Sequence, residues 1–146
     1  MNRIEQITAQ LKEKYATNDP IELCGKMGIW VLIAQLPEGI RGLYTNILDH
    51  KIIYLNEILD EKDKRIVCAH ELGHAVLHTD MNAVFQASNT LFCASRFEHE
   101  ADLFSAYLLI GEKENLCAQW EGMSTEEIAN LLDLPHTLVK MRFGQA

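Results

Sequence analysis

No C-x-x-C pair occurs in this chain: Cys24, Cys68, Cys93 and Cys117 are widely scattered. Small secreted domains lean on a dense disulfide framework, and this spacing provides none, so reduced thiols filling core space in a cytoplasm are expected. No export signal is expected either, because Met1-Asn2-Arg3-Ile4-Glu5 alternates charged and apolar residues and no apolar stretch with a small-residue cleavage site follows. The longest apolar runs, at 29–34 and 107–110, fall far short of the roughly 18 residues that suggest a membrane span. Positive charge is scarce as well. With 13 basic against 21 acidic residues the formal charge is -8, which opposes a broad grip on nucleic acid or an anionic membrane. A soluble cytoplasmic protein is expected, with a protein or small-molecule partner and neither nucleic acid nor membrane. There is no internal repeat and no low-complexity linker.

What is present suits one domain. A chain of 146 residues with 48% hydrophobic content holds enough apolar material for a single core. Ile4, Ile7, Leu11 and Tyr15 recur at helical spacing, and Asp19-Pro20 reads as an N-cap followed by proline in the first helical turn, with Gly25 and Gly28 helping to end that second helix. Three β-rich runs follow, at 29–33, 42–47 and 51–55, two of them joined by the turn signal Leu48-Asp49-His50. The pattern predicts a small, mostly antiparallel sheet packed on helices, an α+β fold. Further helices are predicted over 60–78 and 96–110, the second stopping at Gly111. The segment 81–95 between them is expected to be an edge strand or a substrate-facing loop. Ser124 and Glu127 form a capping-box pair that opens another helix, and after Leu134-Pro135 a last short helix is expected over 136–143. The expected organisation over 1–146 is N-terminal helices (1–28), sheet (29–56), ligand-bearing helices (58–110) and a helical tail (112–146).

The chemistry is concentrated in Ala69-His70-Glu71-Leu72-Gly73-His74, an H-E-x-x-H motif inside a predicted helix. Residues four apart share a helix face, so both imidazoles can reach one metal ion. Zinc suits such a set, because it accepts neutral imidazole nitrogen, tolerates three protein ligands and keeps a fourth position for water. Its charge lowers the pKa of that water toward about 7, and Glu71 can take the proton as the water attacks a carbonyl, then return it to the leaving amine. Leu77 and Asp80 stand where the metzincin pattern requires glycine and histidine, so a carboxylate has to supply the third ligand. Glu98 is the choice. Asp102, one turn further along the same face, is placed to accept the second ring N–H of a zinc-bound histidine, with His70 the expected recipient.

These residues, together with the run Ala75-Val76-Leu77-His78 and the later Glu98-x-x-Ala101-Asp102-x-Phe104-x-x-x-Leu108-Leu109, resemble the ImmA/IrrE-type metallopeptidase family. The strand end Ile52-Ile53-Tyr54-Leu55-Asn56 extends the resemblance, to about residues 20–110. It implies a zincin-like core with one zinc ion on His70, His74 and Glu98, and Glu71 as the catalytic group. It further implies a protease that cleaves a regulatory protein such as a helix-turn-helix repressor of a phage or mobile element. The competing expectation is a non-catalytic zinc-binding sensor or protein-binding regulator, which would keep the ligands but have no use for Glu71.

Other residues carry blander expectations. His78 at the helix end is expected to meet the last carbonyls, Glu100 to be a solvated or capping charge, and His99 to lie on the surface. Tyr54, Tyr107, His50 and Arg96 are open choices for stabilising an oxyanion. Trp30 and Trp120 read as packing residues. The tail carries Glu126, Glu127 and Asp133 against Lys140 and Arg142, a balance that disfavours DNA.

Overall fold

The computed structural model describes residues 2–79, 91–111 and 120–144, with 91–94 as backbone only. Among them are six helices and three strands. Helix α1 (Arg3–Tyr15) starts where the Asn2 side chain accepts the Glu5 N–H at 2.8 Å. Helix α2 (Pro20–Lys26) starts on Asp19, whose carboxylate accepts the N–H groups of Ile21 and Glu22. Gly28, at φ 76°, turns the chain out of α2 into strand β1 (Trp30–Ala34).

Strands β2 (Gly42–Ile47) and β3 (His50–Asn56) form the expected hairpin. Leu48 and Asp49 both take positive φ, 53° and 64°, the conformation that matches a two-residue turn to the twist of its strands. The sheet order is β1-β3-β2, and β1 runs parallel to β3 with Trp30 beside Ile52 and Ala34 beside Asn56. One of the two pairings is therefore parallel, which corrects the mostly antiparallel expectation. The loop after β1 carries the chain past β3 before β2 begins, so β3 returns in the direction of β1. Tyr44, Ile53 and Leu55 share the buried face of the sheet.

Helix α3 (Glu61–Leu77) packs on that face, capped by the Asp60 side chain on the Asp63 N–H at 2.8 Å. Helix α4 (Leu91–Leu109) crosses α3 and begins five residues before its predicted start at 96. Residues 91–95 carry no charge to mark a solvent face, so helical periodicity could not reveal them. The rest of the predicted strand or loop at 81–95 lies outside the described residues. Leu23, Cys24, Ile53, Leu55, Cys68, Leu72, Phe104 and Leu108 are fully buried in the main core. Cys24 and Cys68 are free thiols there, their sulfurs in contact at 3.8 Å, while Cys93 and Cys117 lie outside the described side chains.

Helix α5 (Thr125–Leu132) opens on the reciprocal capping box of Ser124 and Glu127, and helix α6 (His136–Arg142) follows Pro135. Ile110, Ile128, Ala129 and Val139 form a second apolar cluster, against which Trp120 packs. The buried Arg142 joins α6 to the end of α4. Its guanidinium donates to the carbonyls of Gly111 at 2.6 Å and Ile110 at 3.3 Å and lies 5.1 Å from the centroid of the Tyr107 ring. Trp30, by contrast, is 66% exposed on the open sheet face and packs no core, contrary to expectation. Among the described residues no helix is long and apolar enough to cross a membrane.

Candidate metal centre

The site is built where α3 and α4 come closest. A Cβ added to Gly73 would stand 3.1 Å from the Cα of Ala101, so the absence of a side chain there sets how near the helices lie. His70 and His74, one turn apart on α3, thereby face Glu98 on α4. Their Nε2 atoms approach the Glu98 carboxylate from two sides: His70 to Oε2 at 3.0 Å and His74 to Oε1 at 2.9 Å. One donor atom from each of the three residues lies within 4.8 Å of the others. The rings of His70 and His74 are nearly perpendicular, at 87°, with centroids 4.9 Å apart.

Two imidazoles and a carboxylate closing on one point form the donor set that zinc takes in hydrolytic sites, with room left for a fourth ligand. The charges of the bare cluster agree. Burial by itself would lower the His70 pKa, but hydrogen bonds to Asp102 and Glu98 and the charges of Glu71 and Glu98 outweigh it and push the imidazolium up to about 10. Burial would raise Glu98, yet the two histidines hold its carboxyl well below the usual carboxylate range. The pocket attracts positive charge.

Asp102 Oδ1 meets His70 Nδ1 at 2.8 Å, so His70 is held between two carboxylates. Glu71 is buried beside the pair, and that burial raises its carboxyl pKa. Both lie on a cleft of about 620 Å³. One wall is Gly39–Tyr44 from β2 and the loop before it, the floor is α3, and Ser105 of α4 with Pro135, Thr137, Leu138 and Met141 closes the other side. Gly42 lets β2 lie directly over α3, since a Cβ there would fall 2.6 Å from Val67 Cγ1 and 3.3 Å from Glu71 Cγ.

Three expectations change. The His78 backbone N–H donates to the His74 carbonyl, but its ring turns elsewhere: Nδ1 faces His74 Nδ1 at 3.0 Å, and the ring packs on Phe97 with centroids 4.4 Å apart. Glu100 is no solvated charge. It reaches His78 Nε2 at 3.3 Å and also meets Arg3 and Arg96. Of the oxyanion choices, Tyr54, Tyr107, His50 and Arg96, none lines the cleft. Tyr107 is tied by its hydroxyl to Asn2, and Arg96 by its guanidinium to Glu100. His99 is exposed, as expected. The contribution of α6 to the cleft carried no signal in the sequence, because it arises only from tertiary packing.

Residues 24–143 match the family profile described as Peptidase_M78, the IrrE N-terminal-like domain. The chain belongs to this peptidase family. Two relatives fall in line with that membership. The chain is 36% identical over 107 residues to "Uncharacterized immunity region protein 2" of Bacillus phage phi105, covering 73% of this chain and 68% of that protein. It is 28% identical over 135 residues to "Metallopeptidase ImmA" of Bacillus subtilis (strain 168), covering 90% of this chain and 78% of that protein. A solved "Mycobacterium tuberculosis transcriptional regulator" shares the fold, with a TM-score of 0.68 at 15% identity over 99% of this chain. The IrrE N-terminal-like chain spans only 47% of that structure, about half its length. Membership supports a metallopeptidase type of function and a metal at the site.

Proposed function

We propose that this chain is a zinc-dependent endopeptidase of the cytoplasm that cleaves a regulatory protein, such as a helix-turn-helix repressor of a phage or mobile element. His70, His74 and Glu98 would hold one zinc ion, Glu71 would serve as the general base, and Asp102 would orient His70. The observation that carries the reading is the approach of both Nε2 atoms to the Glu98 carboxylate, beside the buried Glu71 on an open cleft.

Bound zinc supplies a Lewis acid, which acidifies water and polarises the scissile carbonyl. The remaining steps belong to the chain. Glu71, whose carboxyl pKa burial raises, takes a proton from the attacking water and passes it to the departing amine. Asp102 accepts the Nδ1 proton of His70, which fixes its tautomer and leaves Nε2 free to ligate. The cleft between β2 and α6 admits a segment of polypeptide, with the whole chain acting as one metallopeptidase domain. The phage immunity-region relative favours a regulatory substrate, and the buried free thiols of Cys24 and Cys68, in contact with no disulfide between them, suit a reducing compartment.

The test is incubation of zinc-loaded protein with the repressor encoded beside its gene, followed by mass spectrometry of the products. A single cut that disappears with Glu71→Gln, while zinc content stays at one ion per chain, is expected. An intact repressor that nonetheless binds the chain would refute the enzyme and favour a sensor.

A further inference from the structure

We propose that His78 and Glu100 are positioning residues for His74, joined to it through a chain of hydrogen bonds that fixes the tautomer and direction of its ring. The inference rests on the reading of His74 as a metal ligand. His74 turns Nε2 into the cluster and Nδ1 away from it, and the group that meets Nδ1 is the Nδ1 of His78 at 3.0 Å. The other nitrogen of His78 meets Glu100 Oε1 at 3.3 Å. His78 is the C-cap of α3, and its backbone N–H donates to the His74 carbonyl at 2.8 Å. Its side chain is only 6% exposed, with Phe97 against the ring. Glu100 is held in turn by Arg3 and Arg96, at 3.7 and 3.6 Å.

The proton inventory has one consistent solution. A neutral imidazole that gives its Nε2 lone pair to a cation carries its proton on Nδ1, so His74 must donate there. His78 then accepts on Nδ1, which leaves its own proton on Nε2. That proton is donated to the Glu100 carboxylate, which can only accept. The two imidazoles of the motif are therefore held differently: His70 directly by a carboxylate, His74 through a second imidazole.

Zinc affinity, read by competition with a chromophoric chelator, tests the chain. His78→Phe keeps the ring packing and removes the acceptor, and is expected to weaken Zn²⁺ binding by about 10- to 100-fold. His78→Asn, whose Oδ1 can accept in place of Nδ1, should recover most of that loss. In the zinc-loaded protein, long-range proton–nitrogen correlation spectra of the imidazoles should find the His74 proton on Nδ1 and the His78 proton on Nε2. Equal affinity with and without His78→Phe, or a His78 proton on Nδ1, overturns the proposal. Should the phenyl ring disturb α3, the tautomer measurement on the unaltered protein decides alone. An unaltered protein that binds no Zn²⁺ removes the reading of the metal site and this proposal with it, whereas binding that ignores His78 removes only the latter.

Discussion

Gly73 and Ala101 meet backbone to backbone, and the histidines and the glutamate come within reach of each other because of that contact. A Cβ on Gly73 would lie 3.1 Å from Ala101 Cα and 3.2 Å from its carbonyl oxygen, atoms of a helix that cannot step aside singly. Gly73→Ala is therefore expected to push α4 outward. Overpacking costs about 1–3 kcal/mol, partly offset by the roughly 1 kcal/mol that alanine gains over glycine in a helix. Because Glu98 moves with α4, the loss in zinc affinity should be larger than the small fall in urea stability suggests. Unchanged affinity would mean that the ligand set does not depend on this contact.

The second close approach is tighter. Gly42→Ala would set a Cβ 2.6 Å from Val67 Cγ1 and 3.1 Å from the Tyr54 carbonyl oxygen, lifting β2 from α3 at a cost of about 1–3 kcal/mol. Val67→Ala removes the closer obstacle. The double variant should be more stable than the sum of the two single losses predicts, a coupling measurable by urea unfolding. Strict additivity would contradict the packing described.

Both glycines show where sequence reasoning stops. The four-residue spacing of His70 and His74 fixes a shared face on any helix, so their pairing was legible at once. Glu98 and Asp102 were legible for the same reason, as a carboxylate pair on a second helix. The parallel β1–β3 pairing was not, because local alternation marks a strand but says nothing of the direction of its neighbour. Trp30 reads as core by composition, yet the sheet face that carries it is open. Glu100 reads as a surface charge along its own helix. Only the end of α3 and the start of α1 bring His78 and Arg3 against it.

The bare cluster makes stability depend on pH. Folded His70 holds its proton up to about 10, whereas an unperturbed imidazole releases it near 6.5. Between those values the folded chain binds more protons than the unfolded one, so this stabilisation is complete below about 6.5 and is lost as pH rises toward 10. Glu98 acts in the opposite sense: its contribution is present above the ordinary 4.5 and fades as pH falls below it. In chelator-treated protein, urea unfolding should show a loss on the order of 5 kcal/mol across the upper window, absent from His70→Asn. Parallel pH curves for the two proteins would refute the assignment.

The tail should prove structural as well as cleft-forming. Arg142 is buried, and its partners at the junction are two main-chain carbonyls and the face of Tyr107. Hydrogen bonds from a charged donor contribute about 1.5–3 kcal/mol each, but the charge was also costly to bury, so Arg142→Met is expected to lose about 2 kcal/mol net. Arg142→Lys keeps the charge but cannot span both carbonyls, and should fall in between. The decisive reading is local. If Arg142 ties α6 to α4, hydrogen exchange in 136–142 should speed up more than in α3. Since Thr137, Leu138 and Met141 line the cleft, the same variant should alter which peptides are cut before it abolishes zinc binding. Uniformly faster exchange throughout the chain would instead assign Arg142 to global stability alone.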